Sequence, residues 1–144
     1  MNVEPFRILL VEDNSADVYL LQKALTAAGL HFALTVIDDG GSALEFVRGG
    51  GEMARDALPH LAIIDVSLPK NDGIQVVEAV RAAECFAGMP VIVMSSSVSP
   101  PARLKQEDLR GTRYVPKPPD LEEFLRVGVM IKELLEEQVG RVEA

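Results

Sequence analysis

The sequence predicts an α/β fold built on a parallel sheet, with helices covering both faces of the sheet. Two observations support this prediction. Five short apolar runs alternate along the chain with segments of helical periodicity, which is the pattern of repeated strand–helix units. The apolar runs also lack a period-two alternation of apolar and polar residues, so both faces of each strand should be buried.

Each predicted strand is a short apolar run bounded by charged or turn-forming residues. The last run, "RYV", ends against Pro116, which has no amide to donate and therefore suits a strand at the edge of a sheet. The five strands are predicted over residues 7–11, 33–37, 61–64, 90–95 and 113–115.

A helix is predicted after every strand. Asn14 should cap the first helix and Gly29 should end it, while Asp120 and Glu123 give the last helix a start that resembles a capping box. Apolar residues mark the second helix and the third, and residues 99–111 should form the fourth although few of them are apolar. The marking residues are Leu44, Phe46 and Val47 in the second helix and Ile74, Val77 and Val80 in the third.

Composition and charge exclude several classes of protein. The net charge is −8 and no cluster of basic residues is present, which argues against binding to nucleic acid. No apolar run approaches the roughly 18 residues needed to span a bilayer, and no signal peptide is recognisable at the start. The single cysteine, Cys85, has no partner within the chain and fits a reducing cytoplasm. We therefore expect a cytoplasmic protein that binds neither membranes nor nucleic acid.

Candidate functional residues follow four of the predicted strands. Glu12 and Asp13 follow the first strand, Asp65 the third, Ser95 ends the fourth, and the fifth leads to Lys117. In open parallel sheets, ligands bind beyond the carboxyl ends of the strands. These five side chains should therefore lie together at one edge of the sheet.

Each of these residues also has an ordinary structural interpretation. Asp65 could cap a helix or a turn, Ser95 could be a hydroxyl at a strand end, and Lys117 could be a surface charge. Asp38 and Asp39 follow the second strand, but they lead into a glycine-rich turn and more simply serve that turn. It is the convergence of the other five at one edge that favours a functional site.

Electrostatics indicates what such a site would need. Carboxylates about 4 Å apart repel by roughly 4 kcal/mol per pair at an effective dielectric constant near 20. Three clustered acids therefore need raised pKa values or a bound cation, and oxygen ligands with room for water and phosphate suit Mg²⁺. An aspartate beside Mg²⁺ can attack a phosphoryl group, while a lysine ammonium neutralises the transferring oxygens and a hydroxyl binds the product.

At these residues the sequence resembles the response regulator receiver domains of two-component signalling. The hydroxyl falls thirty residues after Asp65 and the lysine twenty-two residues after the hydroxyl, as in that family. The resemblance covers residues 6 to about 137 of a single domain, 1–144. It implies a flavodoxin-like (βα)5 three-layer sandwich whose five-stranded parallel sheet has the order 2-1-3-4-5. The motifs that carry it are "LLVEDN", "IIDVSLPKNDG", "VIVMSSS" and "YVPKP".

The resemblance also implies a role for the acids. Asp65 would accept phosphate from a histidine of a sensor kinase, so the chain would be a phosphorylation-switched signalling protein and not an enzyme acting on external substrates. Glu12, Asp13 and Asp65 would bind Mg²⁺, with Mn²⁺ as an alternative ion. The backbone carbonyl of Ser67 would be a further ligand.

By the same resemblance, two further positions form the switch and one residue binds the phosphate. Ser95 would be the switch hydroxyl and Tyr114 the switch aromatic residue, while Lys117 would hold the phosphate. The bond between Lys117 and Pro118 is cis in the family, an isomer found in only about 5% of X–Pro bonds in folded proteins.

Partners and output follow from the subgroup that the motifs suggest. "VEDN", "LPKNDG" and "KPPDLEEF" resemble the single-domain regulators that serve phytochrome-type sensor kinases. No output domain fits in the few residues expected after the last helix, so the signal should leave through protein contacts or by onward phosphotransfer. A second apolar stripe on that helix, Val127, Met130 and Leu134, is either part of one broad buried face or a homodimer surface shared with neighbouring elements.

Two alternatives remain at this level. A phosphatase of the haloacid-dehalogenase type also uses an aspartate nucleophile, but it needs a second acid where this chain has Ser67. The second alternative is a receiver domain that binds partners without being phosphorylated. The intact acids, hydroxyl and lysine argue against this alternative.

Overall fold

The computed structural model describes residues 4–68, 72–96 and 111–143, with the backbone alone described at residue 72 and at residues 139–143. Apart from Gly111, the helix predicted over 99–111 lies outside the described residues, as does Pro69 in the loop after the third strand.

Five strands form one sheet in the order β2-β1-β3-β4-β5. This is the order predicted for a flavodoxin-like fold, and it places β5, with Pro116 as its last residue, at an edge. Neighbouring strands from β1 to β5 are parallel. The strands are β1 (Phe6–Val11), β2 (Phe32–Ile37), β3 (Leu61–Asp65), β4 (Val91–Ser95) and β5 (Thr112–Pro116).

Four α-helices are described, and each of them is the first α-helix after a strand. They are α1 (Ser15–Ala27), α2 (Gly40–Arg48), α3 (Asp72–Ala82) and α4 (Leu121–Glu143). Among the described residues no helix is both long enough and apolar enough to cross a membrane.

By its internal contacts the chain divides into two compact units. One consists of Arg7–Asp13 and Leu34–Lys117 and contains nearly all of the sheet together with α2 and α3. The other consists of Met1–Phe6, Asn14–Ala33 and Pro118–Ala144 and contains α1 and α4.

The core of the first unit lies between the sheet and the helices α2 and α3. Every residue of β3 and β4 is buried, as expected for apolar runs without alternation. The core is a single cluster in which Leu9 and Val11 of β1 meet Ala43 and Val47 of α2 and Val77 of α3. The strands are therefore held firmly up to the edge where the candidate residues lie.

In the second unit α1 and α4 pack against each other. Gly128 of α4 comes so close to α1 that a Cβ atom placed on it would lie 2.5 Å from the backbone oxygen of Ala24. The predicted ends of these helices are confirmed. Asn14 Oδ1 accepts hydrogen bonds from the amides of Ala16 (2.9 Å) and Asp17 (3.3 Å), and Gly29 follows α1 with a φ of 81°.

The start of α4 is confirmed as well, because the Glu123 amide donates to Asp120 Oδ1 at 3.0 Å. Its end is not where the sequence suggested: the helix continues to Glu143, six residues beyond the expected end of the core. Gly140 lies in this extension, and a glycine inside a helix costs only about 1 kcal/mol relative to alanine, too little to end a long helix.

The resemblance implied a cis bond between Lys117 and Pro118, and this prediction is wrong for this structure. No cis peptide bond occurs among the described residues, so Lys117–Pro118 is trans. The trans isomer is the intrinsic preference of an X–Pro bond by about 0.5–1 kcal/mol.

Candidate functional site

The phosphoacceptor candidate, Asp65, is the last residue of the central strand β3 and is buried, with 2% of its surface exposed. Its register partner on β4 is Met94, whose carbonyl accepts a hydrogen bond from the Val66 amide at 2.9 Å. The strand therefore continues its pairing through the acid. The carboxylate is held at the sheet edge by the backbone and not by a flexible loop.

Both carboxylate oxygens of Asp65 have partners. Oδ1 accepts a hydrogen bond from the Ser67 amide at 2.8 Å, and Oδ2 lies 3.0 Å from the Lys117 ammonium. Lys117 also lies 3.2 Å from both carboxylate oxygens of Glu12. One ammonium thus bridges two buried carboxylates, which offsets the cost of burying their charges.

Lys117 is held in place by its own backbone. It follows β5 directly, and its amide donates to the carbonyl of Ser95 at 2.8 Å. Its side chain is 17% exposed, so the ammonium is largely withdrawn from water beside the acids.

The three acids come together as the sequence predicted. One carboxylate oxygen from each of Glu12, Asp13 and Asp65 lies within 4.8 Å of the others, with Glu12 and Asp65 buried and Asp13 exposed. The Glu12 amide donates to the Ile37 carbonyl at 3.0 Å, which ties this end of β1 to β2. Three carboxylates and one ammonium leave a formal charge of −2, which one divalent cation would neutralise. The donor set contains only oxygens, as Mg²⁺ prefers.

A cluster of hydroxyls lies beside the acids. Ser95 is buried at the end of β4, and its Oγ is 3.5 Å from the Oγ of Ser67. Ser67 Oγ also lies 3.1 Å from Ser96 Oγ and accepts a hydrogen bond from the Ser96 amide at 3.1 Å. The sequence predicts a hydroxyl at Ser95 but not this bridge through Ser67 and Ser96. The serine run after β4, together with a serine two residues after Asp65, was the available signal.

Tyr114 lies in β5 with Val93 of β4 as its register partner. Its ring is half-buried and packs against the apolar core of the sheet unit. The predicted switch aromatic therefore lies two strands from Asp65, with β4 between β3 and β5, and two residues before the end of β5.

Asp39 has the turn role that the sequence suggested for it. Its carboxylate caps α2 by accepting hydrogen bonds from the Ser42 amide at 2.7 Å and the Ser42 hydroxyl at 2.8 Å. These hydrogen bonds, from the amide first, lower the pKa of Asp39 from its ordinary value. Asp39 therefore belongs to the helix start and not to the acidic cluster.

Comparisons of the sequence with a family model and with known proteins point to the same family. The response regulator receiver domain matches residues 8–127. FilR2, a probable methanogenesis regulatory protein of Methanothrix harundinacea, is 33% identical over 133 residues that cover 90% of this chain and 83% of FilR2. Response regulator Rcp1 of Synechocystis is 29% identical over 123 residues that cover 85% of this chain and 84% of Rcp1.

Solved structures of response regulators also superpose on this chain. The phosphorylated cyanobacterial phytochrome response regulator RcpA superposes with a TM-score of 0.77 at 30% identity, covering 94% of this chain and 96% of RcpA. The Mn²⁺-bound form of Rcp1 superposes with a TM-score of 0.73 at 29% identity, covering 89% of this chain and 92% of Rcp1. The sheet order, the acidic edge and these matches lead to one conclusion: the chain belongs to the response regulator receiver domain family, and it is similar to the response regulator Rcp1 and to the cyanobacterial phytochrome response regulator RcpA.

Proposed function

We propose that the chain is a single-domain response regulator whose Asp65 accepts a phosphoryl group from a sensor histidine kinase. The observation that carries the proposal is the environment of Asp65. Its carboxylate is buried at the end of β3, one oxygen held by the Ser67 amide and the other by the Lys117 ammonium. A nucleophile fixed in this way is oriented for attack and has a cation beside it.

In the proposed transfer, a carboxylate oxygen of Asp65 forms a bond to phosphorus while the P–N bond to the donor imidazole breaks. The electron pair of that bond returns to the imidazole nitrogen, and the product is an aspartyl phosphate. Lys117, now 3.0 Å from Asp65, would keep its ammonium on the phosphoryl oxygens. Ser95, at the end of the neighbouring strand, would donate a hydrogen bond from its hydroxyl to the same phosphoryl group.

The metal in this proposal is Mg²⁺, with Mn²⁺ as an alternative. Glu12, Asp13 and Asp65 would hold it through carboxylate oxygens, and the Ser67 backbone carbonyl would add a further oxygen. A divalent cation there supplies positive charge to the transferring phosphoryl oxygens. Support comes from the close approach of the three acids and from the similarity to Rcp1, for which a Mn²⁺-bound structure exists.

We propose that the switch consists of Ser95 and Tyr114. Ser95 would move toward the new phosphoryl group, and Tyr114, half-buried on the adjacent strand, would respond to the space that Ser95 leaves. The change would thereby pass from the acidic edge to the surface of β5.

A phytochrome-type histidine kinase is the proposed donor, because RcpA is a phytochrome response regulator and covers almost the whole chain. The signal would then leave through protein contacts, among them a homodimer through α4 and neighbouring elements, or by onward phosphotransfer. The single cysteine, Cys85, has no partner for a disulfide within the chain, which fits action in the cytoplasm.

The test is incubation with Mg²⁺ and acetyl phosphate, followed by intact-mass measurement. We expect one phosphate adduct on the wild type, its loss in Asp65→Asn, and its loss when EDTA removes the metal. Asp56→Asn, which changes an exposed acid in the loop before β3, is the matched control and should keep the adduct.

A wild type that forms no adduct with acetyl phosphate or with any phosphorylated kinase would contradict the proposal. It would instead favour a receiver that binds partners without phosphorylation. Turnover of small phosphate esters by the wild type would favour the phosphatase alternative, so that assay belongs in the same experiment.

A further inference from the structure

The side chain of Ser67 joins the segments that follow β3 and β4. Its Oγ accepts a hydrogen bond from the Ser96 amide at 3.1 Å and lies 3.1 Å from Ser96 Oγ. It also lies 3.5 Å from Ser95 Oγ. These contacts connect residues 28 and 29 positions apart in the chain.

The backbone and the side chain of Ser67 serve different neighbours. The amide is directed to Asp65, while the hydroxyl is directed to the end of β4. Substitution of the side chain can therefore separate the contact to Ser96 from the contact to Asp65. Ser67 is exposed, so a small change of side chain there meets little steric resistance.

The bond to Ser96 opposes the movement that the proposed function needs. A movement of the β4 end toward a phosphoryl group on Asp65 would shift the backbone at Ser95 and Ser96. The bond between the Ser96 amide and Ser67 Oγ holds that backbone in its present position.

We propose that the Ser67 hydroxyl is a latch, which stabilises the unphosphorylated position of the β4 end and must open when the protein switches. This inference rests on the proposed function of Asp65 and adds a residue that sets the switching equilibrium. One neutral hydrogen bond contributes on the order of 1 kcal/mol, so opening of the latch should change an equilibrium constant by about 3- to 10-fold, which corresponds to about 0.7–1.4 kcal/mol.

Amide exchange in the metal-free, unphosphorylated protein tests the bond itself. We expect the Ser96 amide to be protected in the wild type and to exchange about 3- to 10-fold faster in Ser67→Ala. Ser67→Thr keeps an Oγ and should restore the protection. Ser96→Ala keeps both the amide donor and the Ser67 acceptor, so the amide at position 96 should exchange nearly as in the wild type.

Affinity for beryllofluoride with Mg²⁺, a mimic of the aspartyl phosphate, tests the consequence. Ser67→Ala should bind the mimic about 3- to 10-fold more tightly than the wild type, because its unphosphorylated state has lost a stabilising bond. Ser67→Thr should bind it as the wild type does.

The outcomes separate the latch from the function on which it rests. A wild type that binds no beryllofluoride overturns the proposed function and the latch with it. Equal or weaker binding by Ser67→Ala, or an unprotected Ser96 amide in the wild type, overturns the latch alone. Faster exchange together with tighter binding in Ser67→Ala supports it.

Discussion

Lys117 shows at the scale of a single residue why the acidic site can exist in a folded protein. Glu12 and Asp65 are 4% and 2% exposed, and both lie within 3.2 Å of the same ammonium. Removal of one partner from a buried pair leaves an uncompensated charge, and this is far more costly than loss of a surface pair. Lys117 therefore stabilises this edge of the sheet in addition to its proposed role in phosphoryl transfer.

Lys117→Met should consequently lower the free energy of unfolding by about 2–4 kcal/mol in metal-free buffer near pH 7. Urea unfolding at constant m-value measures this change. Lys132→Met is the matched control, because Lys132 and Glu136 form an exposed pair at 3.7 Å that should contribute about 0.5 kcal/mol or less. The addition of Glu12→Gln to Lys117→Met should recover part of the loss. Equal effects of the two lysine substitutions would show that the ammonium does not compensate the buried acids.

Asp39 gives a prediction of pH dependence at the same scale. Hydrogen bonds from Ser42 lower its pKa, so its charged form is favoured in the folded protein. The contribution of Asp39 to the stability of the folded protein is therefore fully present above the ordinary pKa of an aspartate. This contribution is lost as the pH falls through the lowered pKa that Asp39 has in the folded state. We expect the melting temperature of wild type to exceed that of Asp39→Asn by more at pH 6 than at pH 3. A difference that is constant between these pH values would contradict the assignment.

At the scale of elements, the contact between α1 and α4 depends on a missing side chain. A Cβ atom on Gly128 would lie 2.5 Å from the oxygen, 2.7 Å from the carbonyl carbon and 3.0 Å from the Cβ of Ala24. Alanine usually stabilises a helix interior by about 1 kcal/mol relative to glycine. Here the two helices would have to move apart, and overpacking of this kind typically costs about 1–3 kcal/mol.

Gly128→Ala should therefore destabilise the protein by about 1 kcal/mol or more in urea unfolding, against the direction of helix propensity. Gly51→Ala is the control, since a Cβ there would have no neighbour within 4 Å and the backbone φ is not positive. That variant should be unchanged or slightly more stable. Stabilisation by both substitutions would show that α1 and α4 can separate at little cost.

The elements also show what the sequence could predict and what it could not. The strands and their common edge were predictable, because buried parallel strands have apolar runs and their carboxyl ends face the same way. Asp65 itself belongs to β3, one residue beyond the predicted strand, because its pairing with Met94 continues past the last apolar residue.

Contacts between side chains were harder to predict from the sequence than the strands and helices were. The double contact of Lys117 to Glu12 and Asp65, and the bridge from Ser67 to Ser96, join residues far apart in the sequence. Their geometry depends on side-chain rotamers and on the exact ends of β3, β4 and β5, which no local pattern specifies. The end of α4 was missed for a different reason: the expected end followed the extent of the family resemblance, to about residue 137, whereas the helix continues to Glu143.

At the scale of the whole molecule, α4 has apolar surface that the described residues leave uncovered. Phe124, Ile131 and Leu135 are buried, whereas Val127, Met130 and Leu134 are only half-buried and Val129 is 48% exposed. The broad buried face that the sequence allowed is therefore incomplete among the described residues. An apolar surface left in this state on a helix is typical of a contact with another protein.

The proposed homodimer through α4 predicts an association that sedimentation velocity can measure. We expect the wild type to sediment with up to twice the monomer mass as its concentration rises, and more completely with Mg²⁺ and beryllofluoride. Met130→Glu places a charge on the half-buried stripe and should shift the protein to monomer, because an unpaired charge at an apolar interface is costly to desolvate. Val36→Glu, which replaces an exposed apolar residue of β2, should sediment as the wild type does. A wild type that remains monomeric with and without the phosphate mimic would mean that a different protein covers this surface, or none.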